Sequence, residues 1–494
     1  MYEMGIPEFT AMSPKDYTPE KPSTTLLPGQ EHAFSRFREF VKSPSASVFI
    51  LKGYAGTGKT TLLRHFIYWL HENKIKFNLL ASTGRGAKIL SDITGAQAST
   101  VHSLIYVFSQ LNQDLEQLEQ IHAKHQVPGT QLTLDFELRK VNSDEKVVYL
   151  VDEASMISDN QDQSTSFARY GSGNLLMDLF AYHPQGKFVF AGDLCQLPPV
   201  HQKFSPALHA NWLKNKYHRV AWEIELREVI RQSAKSGILD AAGRLRNLVL
   251  NPPSIDWPRI VPLRNRNNIL VYPDVKEFLE KYLELIINHG YNRATLICFS
   301  NKYCSDFNKL IRQIIFNHTQ DAIVQGDLLM VTQNNPLVNL VNGDQVEVVR
   351  VGNFYQKAGL VFRETDVRDI STGRIHSTML IETILTSEMQ NLNQHEHQKL
   401  FIDFNRQMRK KGIKQGDEAF EEAMRQDPWL NGLRAVYGYA LTCHKAQGGE
   451  WDDVFVFLDN KTLGMKPPGF YQWLYTAVTR ARRRLHVPDG WFLS

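Results

Sequence analysis

Ser47-Val48-Phe49-Ile50-Leu51-Lys52-Gly53-Tyr54-Ala55-Gly56-Thr57-Gly58-Lys59-Thr60-Thr61 is an apolar strand that runs into a glycine-rich turn and then into a helix. Leu62, Leu63, Phe66, Ile67 and Leu70 follow at helical spacing, which places the turn at the head of an amphipathic helix. A turn of this kind lets backbone N–H groups close around phosphate oxygens, so Gly53, Ala55, Gly56, Thr57, Gly58 and Thr61 are expected to cradle a nucleoside triphosphate. Lys59 neutralises charge on the outer phosphates, and the Thr60 hydroxyl reaches a Mg²⁺ ion. A glycine-rich turn with no ligand is the alternative. The strand before it and the helix after it weigh against that reading.

A second element completes the chemistry. Val147-Val-Tyr-Leu-Val151 reads as a buried parallel strand ending in Asp152-Glu153. Adjacent carboxylates at a strand end suit metal-assisted hydrolysis: Asp152 holds the Mg²⁺ shell beside Thr60, and Glu153 accepts a proton from the attacking water. Seen alone, an Asp-Glu pair after a strand is a solvated turn. The phosphate loop upstream reverses that balance.

Length and composition bound the remainder. The chain has 494 residues, enough for two cores with insertions. Its formal charge is only +4, so any nucleic-acid surface has to come from local clusters. Arg406 to Lys414 carries five basic residues and Arg480 to Arg484 four, although most charge runs are solvated faces. Cys195, Cys298, Cys304 and Cys443 show neither zinc spacing nor a disulfide framework, which fits a reducing, cytoplasmic setting. No apolar run reaches membrane-spanning length, so no membrane partner is expected.

The fold class expected is α/β. Residues 1–25 read as a flexible tail. In 26–232 the short strands Val48 to Leu51, Phe77 to Ala81, Val147 to Val151 and Phe188 to Ala191 alternate with helical patterns, a first parallel layer that binds the nucleotide. In 233–494 a second series, Ala294 to Phe299, Val436 to Leu441 and Val454 to Leu458, ends in an amphipathic helix from about Phe470 to Arg483. Two segments interrupt the regularity. Residues from about 106 to 146 suggest a hairpin arm, and residues from about 326 to 433 a small β domain around Asn342-Gly343 with helical additions.

The order of further motifs carries a family likeness. Leu80-Ala-Ser-Thr83-Gly-Arg-Gly-Ala-Lys88, Thr100-Val-His102-Ser103, Gly192-Asp193-Leu-Cys-Gln196-Leu-Pro198-Pro199-Val, Glu228-Val-Ile-Arg231-Gln232, Thr442-Cys-His444-Lys445-Ala-Gln447-Gly448 and Tyr475-Thr-Ala-Val-Thr479-Arg480-Ala481 follow one another. In that order the chain resembles superfamily 1 DNA helicases, and the Gln196-Leu-Pro-Pro-Val and Thr-x-His-Ser elements favour the Dda/RecD-like branch over the UvrD-like one. The likeness runs from about Leu27 to Leu485, loosest in the arm and in the long region before Val436.

That resemblance implies two RecA-like lobes sharing one ATP, with the β insertion SH3-like, and movement 5′ to 3′ along single-stranded DNA. It implies that Arg231 and Arg480 reach the γ-phosphate, Arg480 as an arginine finger, and that Gln196 senses that phosphate. Arg480 capping its own helix is the alternative. Gln30 resembles the family's adenine-reading glutamine, against an ordinary surface glutamine, and Gln447 beside Gly448 falls at the triphosphate or the lobe interface. Thr83, His102, Ser103, Thr442 and His444 occupy loops that face the strand in the family, with a helix cap for Thr83 and a buried histidine for His102 as alternatives. Phe136 is the candidate wedge of a strand-separating pin, unless it packs under its hairpin with Leu132 and Leu134. The expected partners are single-stranded and forked or tailed duplex DNA, bound by a monomer, with a nuclease or replication protein as a further partner. A RecD-like motor subunit of a nuclease complex is the second reading, and an ATP-occupancy switch with little hydrolysis the third.

Overall fold

The computed structural model describes residues 19–124, 131–141, 144–161, 167–228, 236–254, 261–317, 322–387 and 389–494. The expected tail therefore lies mostly outside the described residues. Contacts divide the chain into two units. The first comprises Met1–Val107, Glu137–Gln163 and Tyr170–Lys235, and the second Phe108–Phe136, Ser164–Arg169 and Ser236–Ser494.

The first unit is built on a six-stranded sheet in the spatial order Ala98–Thr100, Lys76–Ala81, Val147–Asp152, Lys187–Gly192, Val48–Gly53, Ala221–Leu226. All neighbours run parallel. Such strands are covered on both faces, and the four central ones are accordingly continuous apolar runs. The edge strand Ala221–Leu226 alternates instead, with Trp222 and Ile224 half-buried, so its short pattern gave little signal in the sequence. Helix Lys59–Glu72 buries Leu62, Leu63, Phe66, Ile67 and Leu70 on this sheet beside helix Pro28–Lys42. Between these helices the Phe37 and Phe66 rings stack at 3.9 Å, and Phe37 meets Phe49 edge-on at 6.1 Å. The result that matters for function is topological. The strands ending in Gly53, Asp152 and Gly192 are neighbours, so three loops leave the sheet side by side at its carboxyl edge.

The second unit holds a parallel sheet in the order Ile269–Tyr272, Ala481–Pro488, Trp451–Val456, Ala294–Cys298, Ala440–Thr442. A five-stranded antiparallel sheet follows the order Ile375–Ile381, Leu360–Asp369, Gln345–Lys357, Leu328–Val331, Ala435–Tyr437. The expected single strand Val436 to Leu441 is in fact two strands that serve these two sheets. Gly438 makes the break, because a Cβ there would lie 2.9 Å from the Leu329 backbone. The expected helix to Arg483 also ends early, at Val478, and the chain turns through Arg480 into a strand. That helix, Gly469–Val478, is buried at every position from Phe470 on, so its apolar face supplied no amphipathic period to mark its end.

The expected arm contains strands Tyr106–Leu111 and Leu134–Leu138, which form a small sheet with Ala168–Tyr170. Its outer described part groups with the second unit because helix Leu115–Ala123 packs along helix Gln394–Lys410. Arg406 pairs with Glu119 at 2.7 Å, Arg409 with Glu116 at 3.3 Å, and His122 Nε2 lies 3.0 Å from Gln398 Oε1. The basic run Arg406 to Lys414 is thus partly neutralised by protein carboxylates. Four cysteines are free and buried, and among the described residues no helix is long and apolar enough to cross a membrane.

One side chain closes the back of the first unit. Lys187 Nζ donates to the carbonyls of Phe40, Ser43 and Ala46 at 2.9, 2.6 and 2.8 Å, bonding carbonyls at and just beyond the end of helix Pro28–Lys42. Lys187→Met keeps the apolar stem and removes these bonds. Thermal unfolding is expected to show a loss of roughly 1–3 kcal/mol, and an unchanged melting temperature would refute the role of this staple.

Candidate nucleotide and strand site

In the first unit the phosphate loop is shaped by close backbone approach. Gly56 and Gly58 adopt φ of 80° and 76°, and Gly58 heads the helix that begins at Lys59. Thr57 is buried and bonds back to Tyr54 O through its hydroxyl at 2.8 Å and its N–H at 3.2 Å. A Cβ on Gly53 would lie 2.7 Å from Thr57 Oγ1 and 2.9 Å from Lys59 Cγ. Lys59 Nζ folds across the loop onto Gly53 O at 2.7 Å and Tyr54 O at 3.4 Å. Gln30 is buried behind it, donating to Thr57 O at 3.1 Å and accepting from Leu27 N at 3.0 Å. Both ends of its amide therefore tie the chain entering the first helix to the phosphate loop.

Asp152 and Glu153 stand at the neighbouring strand end. Burial and the adjacent Glu153 carboxylate push Asp152 above the usual carboxylate range, opposed by Lys59 and by a hydrogen bond with Thr60. Thr60 and Asp152 are thus neighbours. Glu153 takes φ of 50°, a left-handed backbone that a side chain adopts at a cost and that is typical of functional turns. Its Oε2 is buried without a hydrogen-bond partner among the described residues, and so is Gln196 Oε1. Gln196 is held by a turn the sequence reading did not single out: Asp193 Oδ1 accepts from Cys195 N at 2.9 Å, and Asp193 O accepts from Gln196 N at 3.3 Å. The signal was present as an Asp directly after a strand glycine.

These residues fit a magnesium nucleotide. Two buried acceptors lack donors, a Cβ-free cradle closes on the loop, and a hydroxyl–carboxylate pair stands beside an ammonium. Among the described residues no cluster of three or more His, Cys, Asp or Glu could hold a metal by itself. That suits Mg²⁺, whose shell is completed by phosphate and water around one or two protein oxygens.

The strand-facing candidates divide by role. Thr83 Oγ1 accepts from Gly86 N at 3.1 Å and caps helix Gly84–Thr94, while Thr100 and Ser103 form a reciprocal capping box. His102 lies edge-on to Tyr170 at 5.3 Å. In the second unit Thr442 Oγ1 accepts from Lys445 N at 3.4 Å, and His444 is exposed. Gln447 is buried and Gly448 has φ of 76°. Phe136 is half-buried with its ring edge-on to Phe108 at 5.8 Å.

Arg480 is 5% exposed. It donates to Thr476 O at 3.0 Å, Gly449 O at 3.3 Å and Thr479 Oγ1 at 3.2 Å. Among the described residues no carboxylate pairs with it, whereas Arg482, Arg483 and Arg484 pair with Glu450, Asp452 and Asp453. The guanidinium caps its own helix, as one reading of the sequence allowed, yet keeps its charge uncompensated. Arg231 lies outside the described residues.

Comparison with known proteins now bears on this geometry. The family model described as an AAA domain matches residues 25–248, and that of the UvrD-like helicase C-terminal domain matches residues 437–487. The ATP-dependent DNA helicase dda of Enterobacteria phage T4 is 26% identical over 310 residues, 62% of this chain and 61% of that protein. The chain is a relative of the superfamily 1 helicases of the Dda/RecD-like branch. The ATP-dependent RecD2 DNA helicase of Deinococcus radiodurans is 28% identical over 194 residues, 39% of this helicase relative and 21% of the bacterial protein. The matches therefore span less than two thirds of either protein's length. A solved Pif1 helicase from Bacteroides, in complex with ADP-AlF3 and ssDNA, aligns with a TM-score of 0.48 and 15% identity, covering 95% of this chain and 93% of that one.

Gly53→Ala tests the cradle. The added methyl has to displace Thr57 or Lys59, so affinity for a fluorescent ATP analogue is expected to fall at least about tenfold with the fold retained. Binding equal to that of the unaltered chain would show that the loop tolerates a side chain there.

Proposed function

We propose that this chain is an ATP-dependent DNA helicase that moves 5′ to 3′ on single-stranded DNA and opens duplex ahead of it. The observation that carries the proposal is Glu153, a half-buried carboxylate in a left-handed turn, with one buried oxygen unpartnered among the described residues, next to an Asp152–Thr60 pair at the phosphate loop. A group placed in this way accepts a proton from water aimed at the γ-phosphate. Lys59 shifts from the loop carbonyls to the phosphates, and the loop N–H groups hold the β-phosphate. A Mg²⁺ ion held through Thr60 and Asp152 would draw charge from the phosphate oxygens.

Gln196 offers an uncharged amide that registers the γ-phosphate and releases it after cleavage. Arg480, a buried cation without a carboxylate, is suited to meet charge that develops on a transferring phosphoryl group. The capped loops at Thr83, Thr100 and Thr442 present His102, Ser103 and His444 toward the strand, while the Phe136 ring supplies the apolar surface for the last base pair. The likeness to the phage and bacterial DNA helicases supports DNA as the track.

Strand displacement on matched duplexes with 5′ or 3′ tails tests the proposal. Unwinding is expected only from the 5′ tail and only with hydrolysable ATP. Glu153→Gln is expected to bind ATP normally and lose about 10²- to 10⁴-fold in turnover. Unwinding from the 3′ tail alone would overturn the polarity, and near-normal turnover in Glu153→Gln would remove Glu153 as the base.

A further inference from the structure

The loop that carries Glu153 and the loop that carries Gln196 are joined by one carboxylate that neither the motifs nor the proposed chemistry uses. Asp159 follows Glu153 in the same loop and is 4% exposed. Its Oδ1 accepts from Gln202 Nε2 at 2.6 Å, and its Oδ2 from Trp212 Nε1 and Lys216 Nζ, both at 2.7 Å. Tyr217 OH approaches the same oxygen at 3.4 Å. The Asp159 carbonyl accepts from Asn174 Nδ2 at 2.6 Å. Burial works against the charge on Asp159, yet Lys216, Trp212 and Gln202 outweigh it and hold the carboxyl below its usual range.

Gln202 belongs to the segment that leaves Gln196, where its N–H closes a turn on Pro199 O at 3.0 Å. The two loops also touch closer to the sheet. A Cβ on Gly192 would lie 3.1 Å from Ser155 N and 2.8 Å from Leu208, so the two backbones are in contact there. Two contacts fix the angle between two loops where one contact leaves a hinge. The turn between Gln196 and Gln202 presents Val200 and His201 to solvent.

We propose that Asp159 is a positioning residue that holds Gln196 in register with Glu153 and thereby sets the rate of ATP hydrolysis. This rests on the helicase reading and adds to it the part that holds the two catalytic loops together. A displacement of about 1 Å in a catalytic group can cost about 10²-fold in rate, which is the scale on which a slack tether would act.

Asp159→Asn keeps the shape and removes the charge on which the donors converge. In steady-state ATPase assays with saturating single-stranded oligonucleotide, kcat is expected to fall at least about tenfold while KM for ATP stays within about twofold. Nucleotide-binding stoichiometry is expected to stay at the wild-type value. Gln202→Leu leaves Lys216 and Trp212 on Asp159, cuts only the link to the Gln196 segment, and is expected to show the same split. Full kcat in a folded Asp159→Asn variant, or in Gln202→Leu if the first variant does not fold, would overturn the proposal. So would a loss of kcat matched by an equal loss of binding-competent protein. A wild-type chain whose ATPase ignores the oligonucleotide would instead contradict the helicase reading.

Discussion

The absence of a side chain at residue 53 is the constraint on which the rest depends. The loop from Gly53 to Lys59 closes so tightly that Thr57 Oγ1 and Lys59 Cγ occupy the space a Cβ would need. Only with that wrap do Thr57, Tyr54 and Lys59 satisfy one another within the loop. The parallel sheet then does the remainder of the placement. Because strands Val147–Asp152 and Lys187–Gly192 follow Val48–Gly53 across the sheet, Asp152, Glu153 and the Gln196 loop leave from adjoining strand ends without needing long or flexible connections.

Charge follows the same economy of placement. In the first unit Asp152 sits beside Thr60 and Lys59, where burial and Glu153 raise its proton affinity. In the second unit Arg480 is buried against carbonyls while the arginines after it are matched with acidic partners. The second unit carries a further ionic knot at its sheet. Asp453 is fully buried and accepts from Arg484 and His486, with Arg293 at 2.8 Å; burial opposes its charge, and these partners hold it down to about 2. Below the usual carboxylate range the native carboxylate keeps its charge longer than the unfolded one, so that support fades only as pH falls toward 2.

How much was legible in the sequence can be read from particular residues. The four central strands of the first sheet announced themselves as apolar runs, and the loop at Gly53 by glycine and lysine spacing, because both are local properties of the chain. The strand through Val436 to Leu441 was legible as extended chain, but not as two strands. What divides it is the approach of the Leu329 backbone to Gly438, a contact far apart in sequence. Helix Gly469–Val478 hid its end for a related reason, since a helix buried on all sides has no polar face to count. Thr83 and Thr442 were legible as hydroxyls at strand-to-helix turns, and their use as caps follows from that position. Asp159 carried no signal, because its importance comes from donors at 202, 212 and 216 that only the fold brings to one carboxylate.

The central claim is that a site assembled from Gly53, Lys59, Asp152 and Glu153 hydrolyses ATP in answer to a bound strand. The most direct measurement is steady-state phosphate release from ATP by the purified chain, titrated with a single-stranded oligonucleotide without secondary structure. The account predicts a slow basal rate that rises saturably with oligonucleotide and disappears when Mg²⁺ is chelated. A rate that is the same at every oligonucleotide concentration, or that survives chelation, would contradict it.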